Sequence, residues 1–173
     1  MAKANKEQTH RLLELQKVVI EHMRELHRFE EQRLEYLFSV PLGVLRKNAT
    51  QRHGVTRWRQ HLNHIEIESV DLHPELLGEE WYEYAKFVHF HEYLHAIGFK
   101  EHDADFRHLE SRWPIEHHRS IGRQFTTFLQ QKNASWKWMC TRCNLCVYRK
   151  KPTRGKFMCK KCNVVLIDEH ISS

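Results

Sequence analysis

The sequence predicts an α+β protein, a small mixed domain headed by a long amphipathic helix and followed by a C-terminal β module organised by cysteines. Three observations carry that expectation. Apolar residues recur at helical spacing over 5–38 and 79–97, residues 65–72 alternate like a half-buried strand, and all five cysteines fall between Cys140 and Cys162. With 173 residues, 40% hydrophobic and 29% charged, the chain can build one compact core and a small satellite rather than two large domains. The expected division is 1–40 for the N-terminal helix, 41–134 for the central domain, 135–167 for the cysteine module and 168–173 for a tail.

The first helix is read from Leu12, Leu15, Val19, Met23, Leu26, Phe29, Leu34 and Leu37, whose spacing keeps one apolar face over several turns. Pro41 and Gly43 end it, and 46–60 reads as a polar, Arg-rich connection. In 65–72, Ile65, Ile67, Ser69 and Asp71 face one way and Glu66, Glu68, Val70 and Leu72 the other, until His73-Pro74 stops the strand. The second helix, over 79–97, places Tyr84, Val88, His91, His95 and Gly98 on one stripe beside an apolar stripe of Phe87, Phe90, Leu94 and Ile97.

That helix contains His91-Glu92-Tyr93-Leu94-His95. Two imidazoles one helical turn apart can reach a single Zn²⁺, and Glu92, at the edge of their stripe, can address a bound water. The competing reading is two core histidines bonded to backbone carbonyls. Gly98 ends the helix, so a tight turn can return His102 as a third ligand, and Asp103 is placed to cap a short helix carrying Phe106, Leu109 and Trp113. Three nitrogen ligands and a water make an open, catalytic coordination sphere. His89, His108, His117 and His118 fall off this stripe or at a helix boundary and are read as non-ligands.

Cys140-x-x-Cys143 and Cys159-x-x-Cys162, with 15 residues between them, have the spacing of a closed four-cysteine structural zinc site. Pairing Cys143 with Cys146 is the alternative, which leaves Cys140 spare. A hairpin is expected to join the two pairs, with 145–149 and 156–158 flanking the turn Pro152-Thr153-Arg154-Gly155. Two zinc ions per chain are therefore expected, one catalytic and one structural, and no small-molecule cofactor.

Charge is segregated. Residues 1–116 hold 16 Lys+Arg against 20 Asp+Glu, whereas 117–167 hold 12 basic residues and no acidic ones. Arg142, Arg149, Lys150, Lys151, Arg154, Lys156, Lys160 and Lys161 crowd the cysteine module, interleaved with Trp136, Trp138, Tyr148 and Phe157. Cations that neutralise phosphates and rings that stack on unpaired bases suit nucleic acid, single-stranded DNA above all. The bland alternative is a solvated face over rings that form the module's small core. The first apolar stretch, 12–20, is broken by Glu14, Gln16 and Lys17, so neither a signal peptide nor a membrane span is expected. Clustered cysteines point to a reducing, intracellular setting, cytoplasmic or nucleoid-associated, with no membrane partner.

The strand and turn from Ile65 through Leu77, the His91–His95 motif with His102-Asp103-Ala104-Asp105-Phe106, and the basic ribbon, in that order, resemble the SprT-like zinc metallopeptidases over about residues 44–166. The seven-residue step from His95 to His102 is compact for that family and within one residue of metzincin spacing. The resemblance implies a small zincin-like metallopeptidase domain in which His91, His95 and His102 hold Zn²⁺ and Glu92 is the general base. It also implies an endopeptidase acting on DNA-bound or DNA-crosslinked proteins, in the manner of DNA–protein crosslink repair. A substrate strand is expected along 65–70 if that strand is the sheet edge. The alternative is a non-catalytic, zinc-containing nucleic-acid-binding protein associated with transcription. No oxyanion-stabilising side chain stands out.

Overall fold

The computed structural model describes residues 3–62 and 65–171. It is a mixed α+β chain that divides into two compact units, Met1–Gly122 and Arg123–Ser173. Among the described residues no helix is long and apolar enough to cross a membrane.

In the first unit, α1 (Lys6–Glu25) starts at a capping box: the Asn5 side chain accepts from Gln8 N at 2.8 Å, and the Gln8 side chain accepts from Asn5 N at 3.0 Å. It buries Leu12, Leu15, Val19, Ile20 and Met23. The single helix expected over 5–38 is in fact two. His27 adopts φ 50°, outside helical space, and the chain restarts as α2 (Glu31–Leu37). Arg24 spans the break, donating to Glu31 at 2.9 Å and Glu35 at 2.8 Å. The apolar period survives the break because Leu34 and Leu37 still turn inward, which is why periodicity alone reads as one helix.

The sheet has the order β1-β3-β2, with β1 (Leu42–Val44) parallel and β2 (Gly54–Gln60) antiparallel to β3 (Ile65–Leu72). β3 is therefore the central strand by order, but β1 pairs only with Val70–Leu72. The condition set for substrate pairing along 65–70, that the strand be the sheet edge, is not met at its end, while 65–69 have β2 on one side and no strand on the other among the described residues. The edge strand beside the helix that carries His91 is β2, which lies inside the stretch read as a polar connection. Its arginines are matched across the ladder: Arg57 Nε donates to buried Asp71 at 2.7 Å, and Arg59 donates to Glu68 at 2.8 Å. Cross-strand pairing, invisible to local hydropathy, makes this polar segment a strand.

A short 3₁₀ turn (Pro74–Leu77) follows His73, whose Nδ1 accepts from Glu75 N. A second 3₁₀ turn, Glu79–Trp81, leads into α3 (Tyr82–Ala96), which packs on α1, β2 and β3. Phe90, Tyr93 and Leu94 are wholly buried there, and Gln16 ties the layers by donating to Tyr93 Oη at 2.9 Å and Leu37 O at 3.0 Å. Gly98, at φ 113°, ends α3; Phe99 N donates back to Leu94 O and Gly98 N to His95 O, closing the helix with a turn that needs a glycine. Asp103 then caps α4 (Ala104–Glu110) by accepting from Phe106 N at 2.9 Å. α5 (His118–Lys132) leads into the second unit.

There β4 (Trp136–Met139) lies between β5 (Cys146–Arg149) and β6 (Ile167–His170), both antiparallel to it. The expected hairpin between 145–149 and 156–158 does not form. Each Cys-x-x-Cys-Asn turn folds the chain back on itself instead: Asn144 and Asn163 take φ 56° and 53°, and Cys140 N and Cys159 N donate to Leu145 O and Val164 O. β5 thus pairs with the strand before the first turn, and Met158 bridges to Val165 across the second. The expected tail from 168 begins inside β6; Ser172 and Ser173 lie outside the described residues. Asp168 accepts from Thr153 N at 2.6 Å and Arg154 N at 3.0 Å, pinning the 152–155 turn. Burial pushes its carboxyl up, but these donors together hold it below the ordinary aspartate value.

Candidate metal centres

α3 carries His91 and His95 on one face, and the glycine turn after it returns His102 to them. His102 Nε2 lies 3.2 Å from His91 Nε2 and 3.2 Å from His95 Nε2. The far side of two rings is fixed. His91 Nδ1 is 2.6 Å from Glu110 Oε1, and His95 Nδ1 is 2.7 Å from Phe99 O. Both partners only accept, so both Nδ1 atoms carry a proton, and in the neutral imidazole, the form that binds a metal, both Nε2 atoms present lone pairs. His102 Nε2 carries at most one hydrogen, so at least one 3.2 Å contact sets lone pair against lone pair. A cation resolves that repulsion. Three nitrogens bound tetrahedrally at 2.0–2.1 Å stand about 3.3 Å apart, close to the spacing found. The three ligand atoms form one of the groups able to hold a metal ion.

Phe106, fully buried, sets the rings: its centroid is 4.9 Å from that of His91 and 4.8 Å from those of His95 and His102. Arg107 Nε donates to His102 O at 3.0 Å, holding the returning turn. Burial, then the neighbouring imidazoles, outweigh the Phe99 carbonyl and keep His95 below the usual histidine value, in its ligand form.

Glu92 points into the fold toward β2 and is only 6% exposed. The Thr56 hydroxyl is 2.9 Å from Glu92 Oε2 and 2.8 Å from the Glu92 carbonyl oxygen. Burial raises the Glu92 carboxyl above the ordinary glutamate value, with His91 and Thr56 partly offsetting it. β2 reaches the carboxylate because residue 54 is glycine: a Cβ there would stand 2.8 Å from Glu92 Cγ, Glu92 Oε1 and Val88 Cγ1.

Beside the histidines lies a cavity of about 350 Å³, lined among others by Tyr84, His91, Glu92, Glu110 and His118. Tyr84 Oη is 2.9 Å from His53 Nδ1. Burial, with the charge of His73, lowers His53 to about 4, and burial, with Glu110, lifts Tyr84 to about 12, so both stay uncharged near neutrality. Sequence reasoning missed Glu110, Thr56 and His118. His118, read as a surface residue, is half-buried and stacks on Phe87 at 4.6 Å. His89, read as merely off the stripe, is completely buried.

In the second unit the Sγ atoms of Cys140, Cys143, Cys159 and Cys162 lie within 4.8 Å of one another and form a second group able to hold a metal ion. Cys143 Sγ is 3.6 Å from Cys159 Sγ. Cys146 stands apart, exposed on β5. Burial raises Cys140, but N–H donors at Arg142 and Cys143 and the adjacent thiols bring it down to about 6, whereas the surrounding sulfurs push Cys162 up to about 12. Four sulfurs this close can share one cation among them. Around them pack Trp138, Val164 and Leu166.

Arg142, Arg149, Lys150, Lys151, Arg154, Lys156, Lys160 and Lys161 are all exposed. Arg142 and Lys161 occupy equivalent positions, each just before the second cysteine of its turn. Trp138 differs from the free stacking platform expected of it. One face stacks on Phe157 at 4.7 Å, Arg149 lies 5.3 Å over its ring, and its Nε1 donates to Lys151 O at 2.9 Å. Trp136 meets His170 edge-on at 4.8 Å and is half-buried.

Comparison with protein-family models, curated proteins and solved structures finds no match for this chain.

Proposed function

We propose that this chain is a zinc-dependent endopeptidase of the SprT-like type that acts on DNA-bound or DNA-crosslinked proteins, its basic cysteine module binding nucleic acid. The observation that carries the reading is the meeting of three imidazole Nε2 atoms, two of them on rings held through Nδ1, with a buried glutamate that lines one cavity together with His91. Three nitrogens leave a position open and suit a catalytic Zn²⁺, while four cysteine sulfurs close the sphere and suit a structural one.

When bound at His91, His95 and His102, the ion supplies Lewis acidity toward a water and a peptide carbonyl. The chain's own residues do the rest. Glu92 takes the proton from the attacking water and passes it to the leaving amine, a role favoured by a carboxyl whose affinity for protons is raised. Thr56 holds that carboxylate, and Glu110 and Phe99 O hold the two helix imidazoles against rotation. A substrate backbone pairs with the outer side of β2, on which no strand lies among the described residues, and so enters without much demand on its sequence.

Metal analysis of the purified protein tests the assignment. Two zinc ions per chain are expected, one lost in His91→Ala or His95→Ala and the other in Cys159→Ser. A single zinc held by the cysteines would remove the catalytic reading.

A further inference from the structure

β2 and α3 run side by side in the same direction. Gly54 lies against Val88 and Glu92, Thr56 meets Glu92, and Trp58 shares a groove with Ala96, Ile97 and Gly98. A chain laid along the free side of β2 therefore meets Glu92 at the start of the strand, where Glu92 lines the 350 Å³ cavity, and the groove lies at the other end. The two ends differ in chemistry. The groove is lined by Trp58, Tyr36 and Ile97 but also by Glu30, Arg33 and Lys100, with Lys100 Nζ 5.6 Å from the Trp58 ring centroid.

The cavity has a cationic mouth. Arg52, in the loop before β2, and Arg119, in the first turn of α5, line it from separate segments; both are exposed, and neither has an ion-pair partner among the described residues. The cavity's own carboxylates are engaged, Glu110 with His91 and Glu92 with Thr56. Its inner wall is completed by Tyr84 and His53, bonded to each other. Two unpaired guanidiniums over a neutral, hydrogen-bonding wall complement a carboxylate, which an arginine binds with two parallel hydrogen bonds.

We infer that this cavity is a specificity subsite that receives an acidic side chain, Asp or Glu, of the cleaved peptide through Arg52 and Arg119. The inference rests on the peptidase reading and names the substrate which that site selects. β2 runs from Gly54 to Gln60. An antiparallel partner runs from the Trp58 groove to the cavity, so the acidic residue follows the cleaved bond.

The test uses the full chain loaded with zinc and two fluorescent peptides differing only by Glu or Lys just after the cleavage position. Binding is measured by anisotropy on Glu92→Gln, and cleavage on the wild type. The Glu peptide is expected to bind about tenfold more tightly, in line with a charge-assisted contact. Arg52→Ala with Arg119→Ala erases that preference, and Arg52→Glu with Arg119→Glu reverses it, zinc content and circular dichroism being unchanged. Equal binding of the two peptides overturns the inference. So does a charge-reversed variant that loses DNA affinity while keeping peptide selectivity, since the arginines would then be phosphate contacts. Cleavage of both peptides at equal rates sinks the subsite and leaves the peptidase standing. Selective binding with no cleavage by the wild type does the reverse.

Discussion

Glu110, on α4, accepts from His91 Nδ1, on α3, at 2.6 Å, and this contact turns the His91 ring so that its Nε2 faces His102. Burial raises the Glu110 carboxyl, but the His91 hydrogen bond and the nearby imidazoles outweigh it and hold the group below the ordinary glutamate value. The expected result of Glu110→Ala is a loss of roughly 10- to 100-fold in metal affinity at the histidine site. Competition with a chromophoric chelator measures it. The four-cysteine site should be unaffected, and unchanged affinity at the histidine site would remove Glu110 from the metal centre.

His89 gives a pH signature. Its ring is fully buried, neither nitrogen has a hydrogen-bond partner among the described residues, and burial lowers its pKa to about 3. Unfolded, the ring titrates near 6.5. The unfolded chain therefore binds more protons between these values, and stability present above about 6.5 is lost as the pH falls toward 3. In His89→Leu, denaturant unfolding should show a shallower loss between pH 7 and 4, with the gain over wild type larger at pH 5 than at pH 8. Parallel pH profiles would mean that His89 is not buried in its neutral form.

Much of this site could be read from residue spacing alone. His91 and His95 share a helical face, Gly98 supplies the turn and Asp103 the cap, and all lie close in sequence. Thr56 and Glu110 escaped because they reach the site from 36 and 19 residues away, through an edge strand and a second helix. β2 was hidden for a related reason, since its arginines are balanced by Asp71 and Glu68 on another strand. The cysteine pairs were legible as a metal-binding pattern, but the pairing of strands around them was not. That depends on Asn144 and Asn163 accepting positive φ and folding each turn back on itself.

The basic module separates charge from stacking. Replacing Arg149, Lys150 and Lys151 together by Ala should flatten the salt dependence of single-stranded DNA binding by about 0.7 per lost contact, roughly two in log–log slope. Trp138→Ala acts differently from a lost base-stacking residue. Because Trp138 stacks on Phe157 and has Arg149 over its ring, the change should lower the module's thermal stability together with any DNA affinity. Filter binding at several salt concentrations, beside thermal melts, checks both. An unaltered slope in the triple variant would make the charged surface a solvated face.

The account turns on Glu92 as a base held by Thr56 of β2 in the cavity that His91 also lines. The most direct measurement is the rate of peptide-bond cleavage by wild type and Glu92→Gln at equal zinc content, with an unstructured protein as substrate and single-stranded DNA present. The predicted result is two zinc ions in each protein and a rate lower in the variant by about 10²- to 10⁴-fold, the usual contribution of general-base catalysis. Equal rates in the two proteins, or no cleavage by a wild type that carries both metals, would contradict it.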